Sequence, residues 1–319
     1  MCGFIGFLHK EKHIPTEEEN TRFQYMNDLI FHRGPDDEGF YADEWIQMGF
    51  RRLSIIDLES GHQPLMYEKD RYIIIFNGEI YNYVELRAEL IAEGMTFQTE
   101  SDTEVILALY AKKKEEAVKD LRGMFSFVIW DKETKKVFGA RDYFGIKPFF
   151  YCANEEGLYF ASEKKSIVFA LEKEQVDSES IQHYFTYQYV PEPATISQNI
   201  FKLEPGHYFT KEHGKDMQIQ TYWRPKFQPV NIEKQALIQE IREVLYDSVK
   251  VHMRSDVPVG SFLSGGIDSS IIASIAKEYH PGIKTFSVGF EQEGFSEVDV
   301  AKETAEKLGI ENIDVWVTP

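Results

Sequence analysis

Cysteine is almost missing from this chain: Cys2 and Cys152 are the only two among 319 residues. Two thiols supply neither a disulfide framework nor a Cys-x-x-Cys metal spacing. The reducing cytoplasm is then the default location, and it would keep a reactive thiol free. Long apolar runs are also missing. No stretch reaches the ~18–20 residues that cross a bilayer, so no membrane segment is expected. The start of the chain lacks the basic region and apolar run of a secretory signal. Positive charge is scarce, with 35 Lys and Arg against 53 Asp and Glu and a formal net charge of −18. That argues against a nucleic-acid partner, because neutralising phosphates needs a basic surface. His32, His62 and His183 have no neighbouring Cys or carboxylate at metal-ligand spacing. The hydrophobic content of 43% suits packed cores, and the length suffices for two domains.

Two textures divide the chain. Up to about Phe201, short β-like runs alternate with a few amphipathic helices. Cys2–Leu8, Trp45–Leu58 and Arg71–Phe76 read as strands, and the unbroken run Ile73–Phe76 implies burial on both faces. Thr16-x-x-Glu19, Asn82-x-x-Glu85 and Ser101-x-x-Glu104 open three helices. Met124–Trp130, Lys136–Arg141, Phe149–Cys152 and Leu158–Ala161 suggest an antiparallel meander, in which Cys152 is a buried hydrophobe. Residues 202–232 read as connecting structure. From Glu233 the pattern becomes helix and strand in alternation: Glu233–His252, Val259–Leu263, Ile267–Tyr279, Lys284–Gly289, Phe295–Leu308 and Ile313–Val317. Such alternation implies a parallel sheet built from βαβ units. With about three strands committed against the usual ~5–6 of an open sheet, the chain is expected to end, at Pro319, inside this second domain.

Two sites carry chemistry. If Met1 is removed, Cys2 becomes an N-terminus bearing both a thiol and an α-amine. Their ordinary pKa values, near ~8.5 and ~8, let the amine take the proton that the thiol must lose. One residue then supplies nucleophile and general base. The plainer alternative is a small buried hydrophobe on a first strand. The second site is Ser264-Gly265-Gly266-Ile267-Asp268-Ser269-Ser270, between the apolar strand Val259–Leu263 and an apolar-periodic helix. Two glycines let the backbone approach a charged ligand, and a helix start offers unsatisfied N–H groups at a positive dipole end. Asp268 can hold a Mg²⁺ that bridges phosphate oxygens. No Lys follows the glycines, which excludes a Walker A loop. The rival is a Gly-Gly turn with a serine cap.

The motif Ser264–Ser270 resembles the PP-loop (SGGxDS) of ATP pyrophosphatases, which cleave ATP between the α- and β-phosphates. The first 200 residues resemble the class II, N-terminal-cysteine glutamine amidotransferases. The likeness rests on Met1-Cys2-Gly3, His32–Asp36, Arg52–Ile55, Asn77–Asn82, Ser101–Glu104 and Arg141–Pro148. In this order, the combination resembles the glutamine-hydrolysing asparagine synthetases over essentially all of the chain. The fold this implies is an α/β/β/α sandwich of two antiparallel sheets over residues 1–201, of the Ntn-hydrolase type. The first part of a parallel-sheet PP-loop nucleotide-binding α/β domain follows over 233–319.

The resemblance also implies roles. Cys2 attacks the side-chain amide of glutamine, and Asn77 and Gly78 stabilise the oxyanion. Arg52 holds the glutamine α-carboxylate and Asp102 its α-ammonium, with Leu53, Ser54, Ile55, Ile56 and Glu79 completing the glutamine site. Alternation sends Arg51 and Arg52 to opposite faces of a strand, and the resemblance selects Arg52. From the residues alone, Asn77-Gly78 also reads as a hairpin turn, and Asp102 also reads as a favourable charge in a first helical turn. Leu263, Ser264, Gly265, Gly266, Asp268, Ser269 and Val288 meet ATP, with Mg²⁺ on Asp268. Ammonia then amidates adenylated aspartate, giving asparagine, glutamate, AMP and pyrophosphate. A chain ending at Pro319 is expected to work as a glutaminase only. Homodimers are common in the family. Two other readings stay open: a relative of the same architecture acting on a different carboxylate, and a non-catalytic relative.

Overall fold

The computed structural model describes residues 2–171, 173–290 and 296–318. It divides into two compact units, Met1–Lys226 and Phe227–Pro319. The first unit begins with β1 (Gly3–His9), α1 (Glu17–Asp28), β2 (Asp37–Ala42), β3 (Ile46–Arg52), β4 (Leu65–Tyr67) and β5 (Tyr72–Ile80). Next come α2 (Tyr83–Ala92), α3 (Asp102–Lys113), β6 (Gly123–Asp131), β7 (Lys136–Arg141), β8 (Phe150–Ala153) and β9 (Gly157–Ala161). It closes with α4 (Lys164–Leu171), α5 (Ser178–Tyr187), β10 (Phe201–Lys202), β11 (His207–Glu212) and β12 (Gln218–Thr221). One sheet runs β10-β8-β9-β1-β3-β2 and the other β12-β11-β7-β6-β5-β4, with antiparallel ladders in both.

Period-two alternation explains the layering. On β5, Ile73 and Ile75 enter a core between the sheets with Phe4, Phe50, Val128 and Trp130. Tyr72, Ile74 and Phe76 of the same strand face α3, against Val105 and Leu109. On β1, Ile5 and Phe7 pack outward against Phe23 and Met26 of α1 and Ile167 of α4. Three cores between four layers make the expected α/β/β/α sandwich. The run Ile73–Phe76 is buried because each face of its sheet is covered.

Local differences have local causes. The strand expected over Trp45–Leu58 stops at Arg52, and residues 53–64 fold as a loop held by side chains rather than by a ladder. The strand expected to stop at Phe76 continues to Ile80, pairing Asn77 with Ser126 and Gly78 with Phe125. Asn77-Gly78 is therefore not a hairpin turn. Thr16 and Glu19 form the full capping box. Asn82 instead binds the Asp120 carbonyl and the Arg122 N–H, and Glu104 accepts from Gln98 and Thr99. Those two acidic-spaced signals mark helix starts without reciprocal caps.

Residues 202–232 are not plain connection. β11 pairs with β7, and β12 pairs with β11. Tyr208 and Phe209 alternate into the helix-facing and inter-sheet cores, which ties this segment to the sandwich and extends the first unit to Lys226. The second unit holds α6 (Lys234–His252), β13 (Gly260–Phe262), α7 (Ile267–Tyr279), β14 (Lys284–Phe290), α8 (Val298–Leu308) and β15 (Glu311–Val317). Its strands are parallel in the order β13-β14-β15. Leu263, Ala273, Ala276, Ala301 and Ala305 form its core. Of the helix expected over Phe295–Leu308, Phe295 lies outside the described residues, as do Met1 and Pro319.

Candidate active site

Cys2 sits immediately before β1, which pairs with β3 from Gly3 opposite Arg51. Its side chain has the parity of Phe4 and packs against the inter-sheet core. Sγ lies 3.5 Å from the Leu53 carbonyl and accepts from the Leu53 N–H at 3.4 Å. Arg33 Nε donates to the Cys2 carbonyl at 2.9 Å, and Arg33 is itself paired with Glu163 at 3.0 Å. Cys2 is thus held through both its carbonyl and its sulfur. Burial pushes the thiol pKa above its ordinary value, with the Leu53 N–H opposing. A thiol in that state is protonated at neutral pH and needs a base. No histidine lines the pocket that contains it.

The same pocket gathers Arg52, Leu53, Ile55, Ile56, Gly78, Glu79 and Asp102. Of the residues expected for glutamine, Ser54 and Asn77 are not part of that lining. Arg51 and Arg52 do point to opposite faces. Arg51 turns outward, pairing with Asp28 and Glu38. Arg52 turns inward and is buried, donating to the carbonyls of Ile56 at 3.1 Å and Asp57 at 2.5 Å. Among the described residues Arg52 makes no ion pair, and its buried guanidinium lines the pocket together with Glu79 and Asp102. Asp102 is the first residue of α3. Its Oδ2 accepts from the Ile80 N–H at 2.9 Å, and burial pushes the carboxyl up to about 6. Asn77 is 1% exposed, and neither its Oδ1 nor its Nδ2 has a hydrogen-bond partner. A buried carboxamide in that condition normally costs free energy and marks a place where a ligand completes the bonding.

Several positioning groups had no individual role assigned from the sequence. Asp36 accepts from the Ser54 N–H at 2.9 Å. Gly34 packs where a Cβ would stand 2.3 Å from the Arg51 carbonyl carbon. The block His32–Asp36 therefore braces the loop around Cys2. Gln63 accepts from the Phe76 N–H at 2.7 Å and donates to the Phe76 carbonyl and to Thr103 Oγ1, each at 3.3 Å. Asp57 accepts from the Glu100 N–H at 2.8 Å and from Ser60. The block Arg141–Pro148 is a built turn: Asp142 accepts from the N–H groups of Phe144, Ile146 and Lys147, each at 3.0 Å. Lys147 is buried and its pKa is lowered by that burial, with Glu79 and Cys2 acting against the shift. Asp57 was expected within a strand, Gly34 counted only as part of a family block and Gln63 had no assigned role, since their partners lie far away in sequence.

In the second unit, β13 leads into the serine-glycine loop and then α7. Gly265 has φ +82°, a conformation that glycine adopts without strain. Gly266 caps α7 and supplies no side-chain bond to its first turn, so the leading N–H groups point out of the helix. Ser269 and Ser270 donate to the Gly266 carbonyl at 3.1 and 2.7 Å, and Ser264 Oγ lies 3.1 Å from Ser269 Oγ. Asp268 is exposed in that first turn, and Val288 is half-exposed on β14. Leu263 is buried, its N–H bonded to Phe286 of β14 at 2.9 Å.

Residues 1–223 match the family model of the glutamine amidotransferase domain. The chain belongs to that family. Residues 240–319 match the family model of asparagine synthase. The chain is 56% identical over 319 residues to a protein of Bacillus subtilis named asparagine synthetase [glutamine-hydrolyzing] 1, covering all of this chain and 50% of that protein. It is 34% identical to asparagine synthetase B [glutamine-hydrolyzing] of Escherichia coli, covering all of this chain and 54% of that one. The chain therefore spans about half the length of these curated relatives. Among solved structures, a glutamine phosphoribosylpyrophosphate amidotransferase from B. subtilis, complexed with ADP and GMP, matches with a TM-score of 0.50 at 16% identity. That match covers 98% of this chain and 65% of the other, and it shows the shared fold.

Proposed function

We propose that the first unit hydrolyses glutamine with Cys2 as nucleophile. Removal of Met1 frees the Cys2 α-amine, which takes the thiol proton as Sγ attacks the side-chain amide carbon. The C–N bond breaks, that proton leaves with ammonia, and a thioester remains on Cys2. Water then hydrolyses the thioester, releasing glutamate and restoring the thiol. The Gly78 N–H and the Asn77 carboxamide receive the developing oxyanion, a contact worth about 3 kcal/mol per donor. Arg52 takes the α-carboxylate and Asp102 the α-ammonium, with Leu53, Ser54, Ile55, Ile56 and Glu79 around the substrate. The observation that carries this reading is one pocket that gathers the Cys2 thiol, Gly78, the buried Arg52 guanidinium, which makes no ion pair among the described residues, and Asp102.

The second unit supports the ATP half of asparagine synthesis. Ser264, Gly265, Gly266 and Ser269 cradle phosphates at the α7 N-terminus, with Leu263 and Val288 toward the nucleotide. Asp268 carries an exposed carboxylate at that spot, which suits a Mg²⁺ held by one protein ligand and phosphate oxygens; bound there, the ion would neutralise phosphate charge. The whole protein then adenylates aspartate and amidates it with the ammonia from Cys2. Among the described residues no helix is long and apolar enough to cross a membrane, and a cytoplasmic setting keeps the thiol reduced. Two assays test the scheme: glutamate release from glutamine, and aspartate-dependent pyrophosphate release from ATP by the full-length protein. Glutamate release that survives Cys2→Ala would overturn the first half. Pyrophosphate release dependent on another carboxylate, and not on aspartate, would overturn the second.

A further inference from the structure

Ser126 is the directly opposed cross-strand partner of Asn77 in the β5–β6 ladder. Both side chains lie on the sheet face shared with Ile75 and Val128, which looks into the inter-sheet core. Directly opposed side chains have Cβ atoms ~4.5–5.5 Å apart, within reach of one another. Ser126 is 0% exposed, and its Oγ has no hydrogen-bond partner, like both polar atoms of Asn77. Its other cross-strand neighbour is Arg141. That guanidinium is taken up by Glu192 and by the carbonyls of Lys147, Leu203 and Gly145. Three buried polar atoms without partners thus sit on two directly opposed residues of one sheet face, and nothing on Asn77 itself selects which end of its carboxamide faces the substrate.

We propose that Ser126 is a positioning residue for glutamine hydrolysis: in the substrate complex its hydroxyl turns to donate to Asn77 Oδ1, aiming the Asn77 NH₂ toward the oxyanion formed on Cys2. The donor and acceptor inventory favours this arrangement. An oxyanion accepts only, so it requires the NH₂ end; the carboxamide oxygen then requires a donor, and a serine hydroxyl supplies one. The proposal rests on the oxyanion role of Asn77 given above.

The test uses the 319-residue chain with Ser126→Ala, Asn77→Ala and the double variant, measuring kcat and KM for glutamine and Tm. Ser126→Ala should lower kcat about tenfold with KM changed by less than about twofold, because an aimed donor matters most in the transition state. The Tm without glutamine should hold or rise, since in the free protein the buried hydroxyl has no partner. Asn77→Ala should lose about a hundredfold or more, and the double variant should match Asn77→Ala, because the serine acts through the asparagine. Parental kcat in Ser126→Ala, or an undiminished Ser126 effect in the Asn77→Ala background, would overturn the positioning role and leave the oxyanion reading standing. Parental kcat in Asn77→Ala would overturn the oxyanion reading itself.

Discussion

At the scale of single residues, the site depends on which face each side chain takes. Arg52 and Arg51 are neighbours with opposite fates. Arg52→Ala should cost about 3 kcal/mol in kcat/KM for glutamine, roughly a hundredfold, because a buried charge-assisted contact to substrate is lost. Arg51→Ala removes pairs to half-exposed Asp28 and Glu38, so it should leave kcat/KM within about twofold and lower stability only slightly. Equal losses from the two substitutions would contradict the facing argument. Asp102 links the site to pH. Burial lifts its carboxyl to about 6, so it carries its charge above that pH and is neutral below it. The KM for glutamine should therefore rise as pH falls through about 6, and Asp102→Asn should remove that acid limb from the profile. The stability linkage has the opposite sense. Between the ordinary carboxylate value of ~3.9 and about 6 the folded state holds the proton more tightly, so Asp102's contribution declines as pH rises through that window.

At the scale of elements, β5 and the loop over residues 53–64 decide whether the proposed oxyanion donors and the thiol meet. Gly78 pairs with Phe125, and a Cβ there would stand 2.2 Å from the Met124 carbonyl oxygen. Gly78→Ala should push β5 from β6 and lower both Tm and glutaminase rate, measured by thermal melts and glutamate release. A Tm equal to the parent's would mean the ladder relaxes around the methyl group. Gln63 does the work of a strand edge, bonding both polar groups of Phe76. Gln63→Ala strands the Phe76 N–H and should destabilise the first unit by about 1–3 kcal/mol in denaturant unfolding.

At the scale of the molecule, the boundary of the first unit is a packing fact. β11 pairs along β7 and β12 along β11, and Phe209 packs on Phe149 with ring centroids 5.6 Å apart. A chain ending at Phe201 should be insoluble or lack a cooperative melt, because it uncovers β7 and opens the inter-sheet core. A chain ending at Lys226 should melt cooperatively and release glutamate from glutamine. Comparable behaviour of the two truncations would show that β11 and β12 are dispensable. In the second unit, Phe286, Val288 and Phe290 of β14 alternate with buried Thr285 and Ser287 and remain 38–49% exposed. Parallel sheets are ordinarily covered on both faces, so this face should bind a hydrophobic dye, and substitution of Phe286 and Phe290 by Ser should reduce that binding.

The sequence by itself determined the sandwich, the alternation of the second unit, and the residue types near Cys2, since these follow from local periodicity, spacing and family likeness. It also separated Arg51 from Arg52, because strand alternation is a two-residue rule. Only the tertiary structure decided that Asn77-Gly78 lies in a ladder rather than a turn, that residues 202–226 complete the first unit, and that Gln63, Asp57, Asp36 and Arg33 hold the loop at the thiol. Each of those depends on partners far apart along the chain: Ser126 is 49 positions from Asn77, the difference of their numbers in the register. Local pattern records how a segment would like to fold alone. The hydrogen-bond partners that fix its end point, its edge or its aim are supplied by other segments, and they exist only once the layers have packed.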